Sequence, residues 1–306
     1  MKAVVVGVGH LGRHHARILA SLPGVTLAGI VDTDRERGAR IAAEHGTTAF
    51  GAVGEIGGKL DLAVVAVPTE SHASVALPLL ESGVHTLIEK PIAQTVAQAD
   101  QLIAAAAAAG VVLAVGHSER FNPAVGAARP YLNDPRFIEV HRLGTQLGRS
   151  LDIDVVLDLM IHDLDLILSF VKSEVESVEA VGVPVLTNKV DIANARIRFA
   201  NGCIANLTAS RISKDQVRKI RFFQRERYVA IDTAAGEVEM FQLVPQDSGL
   251  PKIGGGKQAV PGEEPLKSEL EDFVAAVRER RAPAVPGEQG RAALALAVRI
   301  VELMRQ

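Results

Sequence analysis

The chain opens with an apolar run that passes directly into a glycine-rich turn, Ala3-Val4-Val5-Val6-Gly7-Val8-Gly9-His10-Leu11-Gly12. The run predicts a short buried strand, and the following residues predict a helix over Gly12–Ala20. In this context the first glycine permits a tight turn, the second lets a diphosphate approach the backbone, and the third lets the helix pack closely on the strand. Amide groups at the helix N-terminus would face the phosphates. The sequence therefore predicts a dinucleotide-binding βαβ unit whose phosphate-binding turn contains Gly7, Gly9, His10, Leu11 and Gly12.

A carboxylate follows the second predicted strand, Thr26–Val31. Asp32 comes twenty residues after Gly12, the spacing at which an acidic side chain accepts a hydrogen bond from the ribose 2′-hydroxyl of a dinucleotide. Its negative charge would repel a 2′-phosphate, so the sequence favours NAD over NADP. Arg35 and Arg37 lie close enough in sequence to weaken that preference.

The pattern of apolar runs changes part-way along the chain. Up to about residue 118, short apolar runs alternate with helical segments, which predicts a doubly wound parallel sheet of the Rossmann type. Beyond it, alternating runs predict an α+β domain with a large, mostly antiparallel open sheet. We therefore expect a dinucleotide-binding domain at residues 1–118 and a substrate-binding and oligomerisation domain at residues 119–306. The Gly- and Pro-rich segment Pro245–Gly262 predicts a long surface loop before two closing helices.

Composition excludes several classes of function. The net charge of −3 and the pI near 6.3 leave no excess of cations to neutralise a nucleic-acid backbone. The only cysteine, Cys203, excludes an intramolecular disulfide and a Cys-rich metal site. The alanine-dominated stretch Leu102–Leu113 is shorter than the roughly 20 residues that span a bilayer. These features predict a cytoplasmic protein that acts on a small molecule, without a metal, nucleic-acid or membrane partner.

Two further patterns are candidates for chemistry. Glu89-Lys90-Pro91 follows the apolar strand His85–Ile88 at the carboxyl edge of the predicted sheet, where ligands bind in this architecture. Lys90 could hold a substrate hydroxyl and lower its pKa, although Glu-Lys-Pro is also an ordinary strand-ending turn.

Asp158 and His162 are four residues apart in the predicted helical run Val155–Phe170 and would share one face. The carboxylate could orient the imidazole, which has a pKa suited to proton transfer near neutral pH. Because hydride transfer from an alcohol needs a base, this pair is a candidate for that role. Acid–histidine pairs at this spacing also occur as solvated surface pairs.

Taken together, these motifs resemble the Gfo/Idh/MocA family of oxidoreductases. The resemblance covers the glycine turn, Asp32, the Val67–His72 segment, Glu89-Lys90-Pro91 and the Asp158/His162 pair. It implies that Lys90, Asp158 and His162 form the catalytic set, with His162 taking the hydroxyl proton as hydride leaves for the nicotinamide. It also implies that Thr69, His72 and Glu89 lie near the cofactor, although His72 could equally be structural.

Within the family, Val115–Ala124 and Leu157–Asp163 are similar to the nucleotide-sugar branch. That branch includes UDP-N-acetylglucosamine 3-dehydrogenases, some of which feed an aminosugar pathway toward lipid A. The similarity implies that Arg120 and Asn122 bind substrate together with Asp158 and His162. The chain departs from the family at Met160 and at 146–149, where relatives often carry glycines.

A cationic run in the second half could bind the diphosphate of such a substrate. It also fits a solvated sheet face or a subunit contact, because strand residues alternate sides. The run begins at Arg211, a further candidate substrate contact, and its members are Arg211, Lys214, Arg218, Lys219, Arg221, Arg225 and Arg227.

The leading interpretation is NAD-dependent oxidation of a sugar ring hydroxyl to a ketone, at C3 of UDP-N-acetylglucosamine. The alternatives are a dehydrogenase of a free polyol such as an inositol, a keto-sugar reductase that uses NADPH, a glycosidase that uses NAD transiently, and a non-catalytic NAD- and sugar-binding regulator. An exposed antiparallel sheet would bury its outer face by self-association, which predicts a homodimer or homotetramer.

Overall fold

A computed structural model of the chain describes residues 1–145, 153–246 and 251–305. The segment 146–149, where the sequence departs from the family, lies outside the described residues. Among the described residues, every helix is too short or too polar to traverse a bilayer.

The first part of the chain alternates strands and helices, as the apolar pattern predicts. Its strands are β1 (Lys2–Val6), β2 (Thr26–Val31), β3 (Ala49–Phe50), β4 (Leu62–Val65), β5 (His85–Glu89) and β6 (Leu113–Gly116). Its helices are α1 (Gly12–Ser21), α2 (Arg35–Glu44), α3 (His72–Glu81) and α4 (Val96–Ala109). The strands form one parallel sheet in the order β3-β2-β1-β4-β5-β6, which confirms the Rossmann prediction.

Local sequence accounts for these elements. All four residues of β4 are buried, as expected for a strand covered on both faces. The helix α4 begins with a capping box between Thr95 and Gln98, and it ends at Gly110, whose φ of 64° suits glycine. The carboxyl ends of the central strands therefore meet the starts of the following helices at one edge of the sheet.

The rest of the chain begins with α5 (Pro123–Ala128), β7 (Pro135–Thr145), a π-helical turn (Val156–Met160) and α6 (Ile161–Phe170). It continues with β8 (Val175–Val183), β9 (Ile192–Phe199), β10 (Ile204–Ser210), β11 (Ile212–Gln224), β12 (Arg227–Asp232), β13 (Glu237–Val244) and β14 (Lys252–Ala259). The last helices are α7 (Pro265–Glu279) and α8 (Gly287–Leu303). Short 3₁₀ turns lie at Val53–Glu55, Thr69–Ser71, Ser118–Phe121 and Arg129–Tyr131.

The second sheet has the order β14-β13-β12-β11-β7-β10-β9-β8. Its neighbouring strands pair antiparallel except β10 with β7, which confirms the predicted mostly antiparallel sheet. Burial alternates along β9, so one face of the sheet is covered and the other is open.

The prediction of a surface loop over Pro245–Gly262 is wrong for Lys252–Ala259. These residues form the edge strand β14, which pairs antiparallel with β13. Among the glycines that indicate a loop, Gly255 is instead required by the backbone of this edge strand. Gly255 has a φ of 128°, and a Cβ there would lie 1.9 Å from the Met240 carbonyl oxygen. Composition alone did not distinguish a glycine-rich edge strand from a loop.

The chain divides into two compact units, Met1–Ser118 with Glu264–Leu294, and Glu119–Glu263 with Ala295–Gln306. It passes from the first unit to the second after Ser118, where the sequence predicts the boundary. The prediction that all of residues 119–306 belong to the second unit is wrong for Glu264–Leu294, which return to the first unit. The physical reason is the apolar face of α7, which buries Leu270, Phe273 and Val274 in the core that surrounds β1 and α1.

Candidate functional site

The glycine turn after β1 has the geometry that its sequence predicts. Gly7 has a φ of 84°, and its amide donates to the Val31 carbonyl at 2.7 Å. A Cβ at Gly7 would lie 2.8 Å from the Ala66 oxygen, and one at Gly12 would lie 1.8 Å from the Gly7 oxygen. Neither position accepts a side chain, because backbone atoms would have to move.

The space in front of this turn is open. A Cβ at Gly9 would meet nothing within 4 Å. The N-cap of α1, Leu11, makes no side-chain capping bond in the described structure, and the Leu11 side chain is exposed. His10 is also exposed, with its ring edge-on to His14. An open, uncapped helix N-terminus beside a bare glycine backbone fits the diphosphate of a dinucleotide.

The Asp32 carboxylate, at the end of β2, is almost fully buried. Its Oδ2 accepts from the Val8 amide at 2.8 Å and from Arg37 Nε at 3.1 Å. Its Oδ1 accepts from the Asp34 amide at 2.8 Å and from Arg37 Nη2 at 2.7 Å. Burial opposes the charge, but the Arg37 and backbone hydrogen bonds outweigh it and hold the pKa of Asp32 below its ordinary value. Asp32 is therefore ionised at the ribose end of the predicted cofactor site.

His72 connects the loop after β4 to the turn that contains Lys90. The ring is buried, with Nδ1 2.8 Å from the Pro91 carbonyl oxygen and Nε2 3.0 Å from the Val67 carbonyl oxygen. Burial lowers the pKa of His72, so the ring is neutral and donates one of these bonds. Of the two roles considered from sequence, these contacts support the structural one. Thr69 lies half-buried in the 3₁₀ turn of the same loop.

Glu89 points into the first unit rather than toward open space. Its Oε1 lies 2.7 Å from His15 Nε2, and both residues are buried. Its Oε2 accepts from the Lys90 amide at 3.1 Å. Burial opposes the charge, but the hydrogen bond and electrostatic interaction with His15, together with Lys90, lower the pKa of Glu89. These contacts favour an indirect role for Glu89, through the backbone of Lys90.

Glu269 of α7 joins this cluster, and ligand-type atoms of His15, Glu89 and Glu269 lie within 4.8 Å of one another. The His15–Glu89 separation of 2.7 Å is a hydrogen-bond distance. It is shorter than the roughly 3.3 Å between two ligands of one tetrahedral zinc ion. A shared proton explains the pair better than a metal does. Sequence reasoning missed His15, which the predicted helix could have suggested, and Glu269, for which no local signal exists.

Asp158 and His162 lie in the second unit, on adjacent helical turns. Asp158 is in the π-helical turn Val156–Met160, His162 is in the first turn of α6, and both are half-buried. The predicted helical run therefore begins with a π-helical turn, a rare conformation that is frequent at functional sites.

Buried ion pairs hold the helix immediately after His162. Asp163 accepts from Arg142 Nε at 2.7 Å and from Nη2 at 2.8 Å, and Asp165 accepts from Arg120 at 2.5 and 2.8 Å. Each aspartate thus receives a two-point contact from an arginine, which fixes the orientation of α6.

The three residues predicted to bind substrate besides Asp158 and His162 make internal contacts. Arg120 pairs with Asp165, and Asn122 caps α5 at the Ala124 amide and donates to the Thr233 carbonyl. Arg211 is 1% exposed and donates to the Ile153 carbonyl at 2.5 Å. Buried groups that are engaged in this way hold the unit together, so their contacts do not support direct binding of a substrate.

The cationic run likewise includes residues paired on the sheet. Arg221 lies 2.6 Å from Glu139 of β7, and Arg227 donates to Gln242 of β13. For these two residues the contacts favour the alternative of a solvated sheet face.

Comparison with known proteins finds two family domains in the chain. A family model described as an oxidoreductase family with an NAD-binding Rossmann fold matches residues 1–117, and a Gfo/Idh/MocA C-terminal domain model matches residues 96–228. UDP-N-acetylglucosamine 3-dehydrogenase from Acidithiobacillus ferrooxidans is 38% identical over 305 residues, which cover 98% of this chain and 96% of that enzyme. The chain belongs to the Gfo/Idh/MocA family.

Further similarities are to an inositol dehydrogenase and to solved structures. The scyllo-inositol 2-dehydrogenase of Bacillus subtilis is 26% identical, over 70% of this chain and 68% of that enzyme. The solved structure of the Acidithiobacillus ferrooxidans enzyme has a TM-score of 0.93 at 37% identity, covering 100% of this chain and 99% of that one. Levoglucosan dehydrogenase with bound NADH and levoglucosan, at 18% identity and a TM-score of 0.90 over 100% and 97% of the chains, shares the fold. As a Gfo/Idh/MocA oxidoreductase, the protein is a dehydrogenase that acts on CH–OH groups.

Proposed function

We propose that this dehydrogenase oxidises the C3 hydroxyl of UDP-N-acetylglucosamine to a ketone, with NAD as hydride acceptor. The observation that carries the proposal is the 38% identity, over 98% of the chain, to an enzyme named for that reaction. Lys90, Asp158 and His162, the implied catalytic set, are all present in the sequence.

In this proposal each catalytic side chain has one task. Lys90 donates a hydrogen bond to the substrate hydroxyl and favours its deprotonation. His162 takes the hydroxyl proton, and Asp158 supports the imidazolium that results. The bound nicotinamide supplies the acceptor for the hydride that leaves the carbon. The C–H bond and the O–H bond break, and a C=O bond forms.

The cofactor preference rests on Asp32. A carboxylate has about four lone-pair sites, and four donors already fill those of Asp32. A ribose hydroxyl must therefore displace Arg37, whose side chain is 39% exposed. Arg37 is the donor that can turn away, because its side chain reaches solvent, whereas the Val8 and Asp34 amides are fixed in the backbone. NAD is the preferred cofactor, and Arg37 is the group that could admit NADP.

Positioning of Lys90 rests on its two neighbours in sequence. Glu89 accepts the Lys90 amide and is held by His15, while the Pro91 carbonyl contacts His72. These contacts fix the backbone on both sides of Lys90 in the first unit. The ammonium group is thus carried on a turn whose orientation the buried side chains determine.

The test is the absorbance of reduced nicotinamide after the protein is mixed with NAD and one sugar at a time. The panel contains UDP-N-acetylglucosamine, UDP-N-acetylgalactosamine, UDP-glucose, free N-acetylglucosamine and myo-inositol. The proposal expects turnover with UDP-N-acetylglucosamine well above that with free N-acetylglucosamine. Preferred turnover of myo-inositol would overturn it in favour of the polyol alternative.

The second sheet has a partly exposed aromatic row that could pack against a second copy of the chain. On the open face of the second sheet, Phe137, Phe223, Tyr228 and Phe241 are direct cross-strand partners on β7, β11, β12 and β13. Their ring centroids are 5.5, 5.3 and 6.2 Å apart. We infer that this aromatic row packs against a second copy of the chain, because aromatic side chains dominate such contacts and self-complementary pairing gives a dimer.

A further inference from the structure

The start of the π-helical turn is held from outside by a buried arginine and a buried aspartate. Arg211 follows β10, and its Nη2 donates to the Ile153 carbonyl at 2.5 Å. Its Nε lies 3.8 Å from Asp191 Oδ1, and the side chains of both residues are at most 1% exposed. The Arg211 amide donates to the Asp191 carbonyl at 3.0 Å, so backbone and side chain both join the two residues.

Asp191 is itself fixed by the loop that precedes β9. Its Oδ2 accepts from the amides of Val185, Leu186 and Thr187 at 2.8, 2.7 and 2.9 Å, and its Oδ1 accepts from the Thr187 hydroxyl at 2.8 Å. Burial opposes the charge, but these hydrogen bonds lower the pKa of Asp191 to about 2. Near neutral pH the carboxylate is therefore a permanent charge beside Arg211.

The same loop contacts the start of the turn twice more. The Val190 amide donates to Asp154 Oδ1 at 3.0 Å, and the Val155 amide donates to the Val190 carbonyl at 3.0 Å. The Asp154 carbonyl then accepts the amides of Leu157 and Asp158, both at 3.1 Å. Residues 153–155 are thus each held by a group from elsewhere in the second unit before the turn begins.

We propose that Arg211 and Asp191 are positioning residues that set the placement of Asp158 and His162. The inference rests on the proposed function, in which Asp158 and His162 are catalytic. It replaces the expectation that Arg211 binds substrate, since a side chain this deeply buried and already bonded to a carbonyl does not face a ligand.

Buried side chains hold the chain on both sides of the catalytic pair. Arg211 and Asp191 hold the chain before Asp158, whereas Arg142 and Arg120 hold α6 after His162 through Asp163 and Asp165. A displacement of about 1 Å in such a segment can cost roughly 100-fold in rate. Loss of the Arg211 contact would release Ile153 and leave that end of the segment held only by the two Val190 contacts, while the other end stays fixed.

The test compares the wild type with Arg211→Met, which keeps the aliphatic volume and removes the guanidinium. Hydrogen exchange is followed by mass spectrometry in peptides that cover 153–162 and, as an internal reference, 192–210. We expect exchange in 153–162 to rise by roughly tenfold or more with the reference unchanged, and kcat to fall by about tenfold or more.

The Kd for NADH, measured by nicotinamide fluorescence, should stay within about twofold, because the glycine turn lies in the other unit. Arg291→Met, which breaks the exposed pair with Asp100 in the first unit, is the control that should change none of these quantities.

Asp154→Ala is a second test if Arg211→Met does not fold. Asp154 is only half-buried, and its replacement removes one contact, to the Val190 amide. It should raise exchange in 153–162 and lower kcat with the KM for NAD unchanged. Arg211→Lys, which retains the charge, should recover part of the loss. Unchanged exchange in 153–162 for folded Arg211→Met, or for Asp154→Ala, would overturn the inference. The exchange measurement needs no turnover, so it separates failure of this inference from failure of the proposed function.

Discussion

Arg37 holds the Asp32 carboxylate at two points, with Nε 3.1 Å from Oδ2 and Nη2 2.7 Å from Oδ1. The carboxylate expected to select the ribose hydroxyl is therefore paired with a cation before any dinucleotide binds. Its repulsion of a 2′-phosphate is partly neutralised, and the guanidinium could itself bind that phosphate. We therefore expect the choice between NAD and NADP to depend on both residues.

Arg37→Ala should sharpen the preference for NAD. A hydrogen bond to a charged group contributes about 1.5–3 kcal/mol, so loss of the guanidinium should weaken NADPH binding by roughly ten- to a hundredfold. NADH binding should change little, because Asp32 then accepts the ribose hydroxyl without competition. The Kd values are measured by nicotinamide fluorescence. Arg40→Ala, which breaks an exposed pair with Glu44 one turn further along α2, serves as control. Equal weakening of both cofactors by Arg37→Ala would contradict this account.

Asp191→Asn should destabilise the protein in a pH-dependent way. The pKa of Asp191 is about 2 in the folded protein against an ordinary 3.8, which corresponds to about 2 kcal/mol. Because the folded-state pKa is the lower one, this stabilisation is fully present above about pH 4 and is lost as pH falls toward 2. Urea unfolding of wild type and variant at a series of pH values measures it. A difference that stays constant from neutral pH down to pH 3 would show that the charge is not responsible.

Phe223→Asp should dissociate the proposed assembly. Phe223 lies between Phe137 and Tyr228 in the aromatic row, so a charge there would be buried without a partner in any face-to-face contact. Size-exclusion chromatography with light scattering should find the wild type as a dimer or tetramer. The variant should have half that mass, a monomer in place of a dimer or a dimer in place of a tetramer. Gln101→Glu, on the exposed surface of α4 in the first unit, is the charge control. A wild type that is monomeric at micromolar concentration would refute the proposed contact.

His162→Asn should strongly reduce turnover and leave the dinucleotide site intact. Asparagine keeps a polar side chain of similar size but does not accept a proton near neutral pH, so kcat should fall by roughly 100- to 10,000-fold. The Kd for NADH reports whether the first unit is unaffected. Retention of most of the wild-type kcat would remove His162 as the base.

Much of the first unit could be predicted because its determinants are local. The apolar runs, the three glycines and Asp32 lie within one βαβ unit, and each residue's role follows from its position in it. The return of α7 to this unit could not be predicted, since its partners on α1 lie more than two hundred residues away in sequence.

The predicted substrate contacts illustrate the same limit. The similarity to the nucleotide-sugar branch implies that Arg120 and Asn122 bind substrate, and the cationic run suggests the same for Arg211. Their actual partners, Asp165, Thr233 and Ile153, are 45, 111 and 58 residues away. Sequence shows that a charged group is present, but only the fold shows whether another part of the chain already satisfies it.

The most direct measurement uses UDP-N-acetylglucosamine that carries deuterium at C3. After incubation with the protein and NAD, mass spectrometry of the nicotinamide product should find one deuterium per reduced cofactor, together with the 3-keto sugar nucleotide. Reduced cofactor without deuterium would place the reaction at another carbon. Absence of any reduced cofactor, with the protein folded and NAD bound, would contradict the assigned substrate.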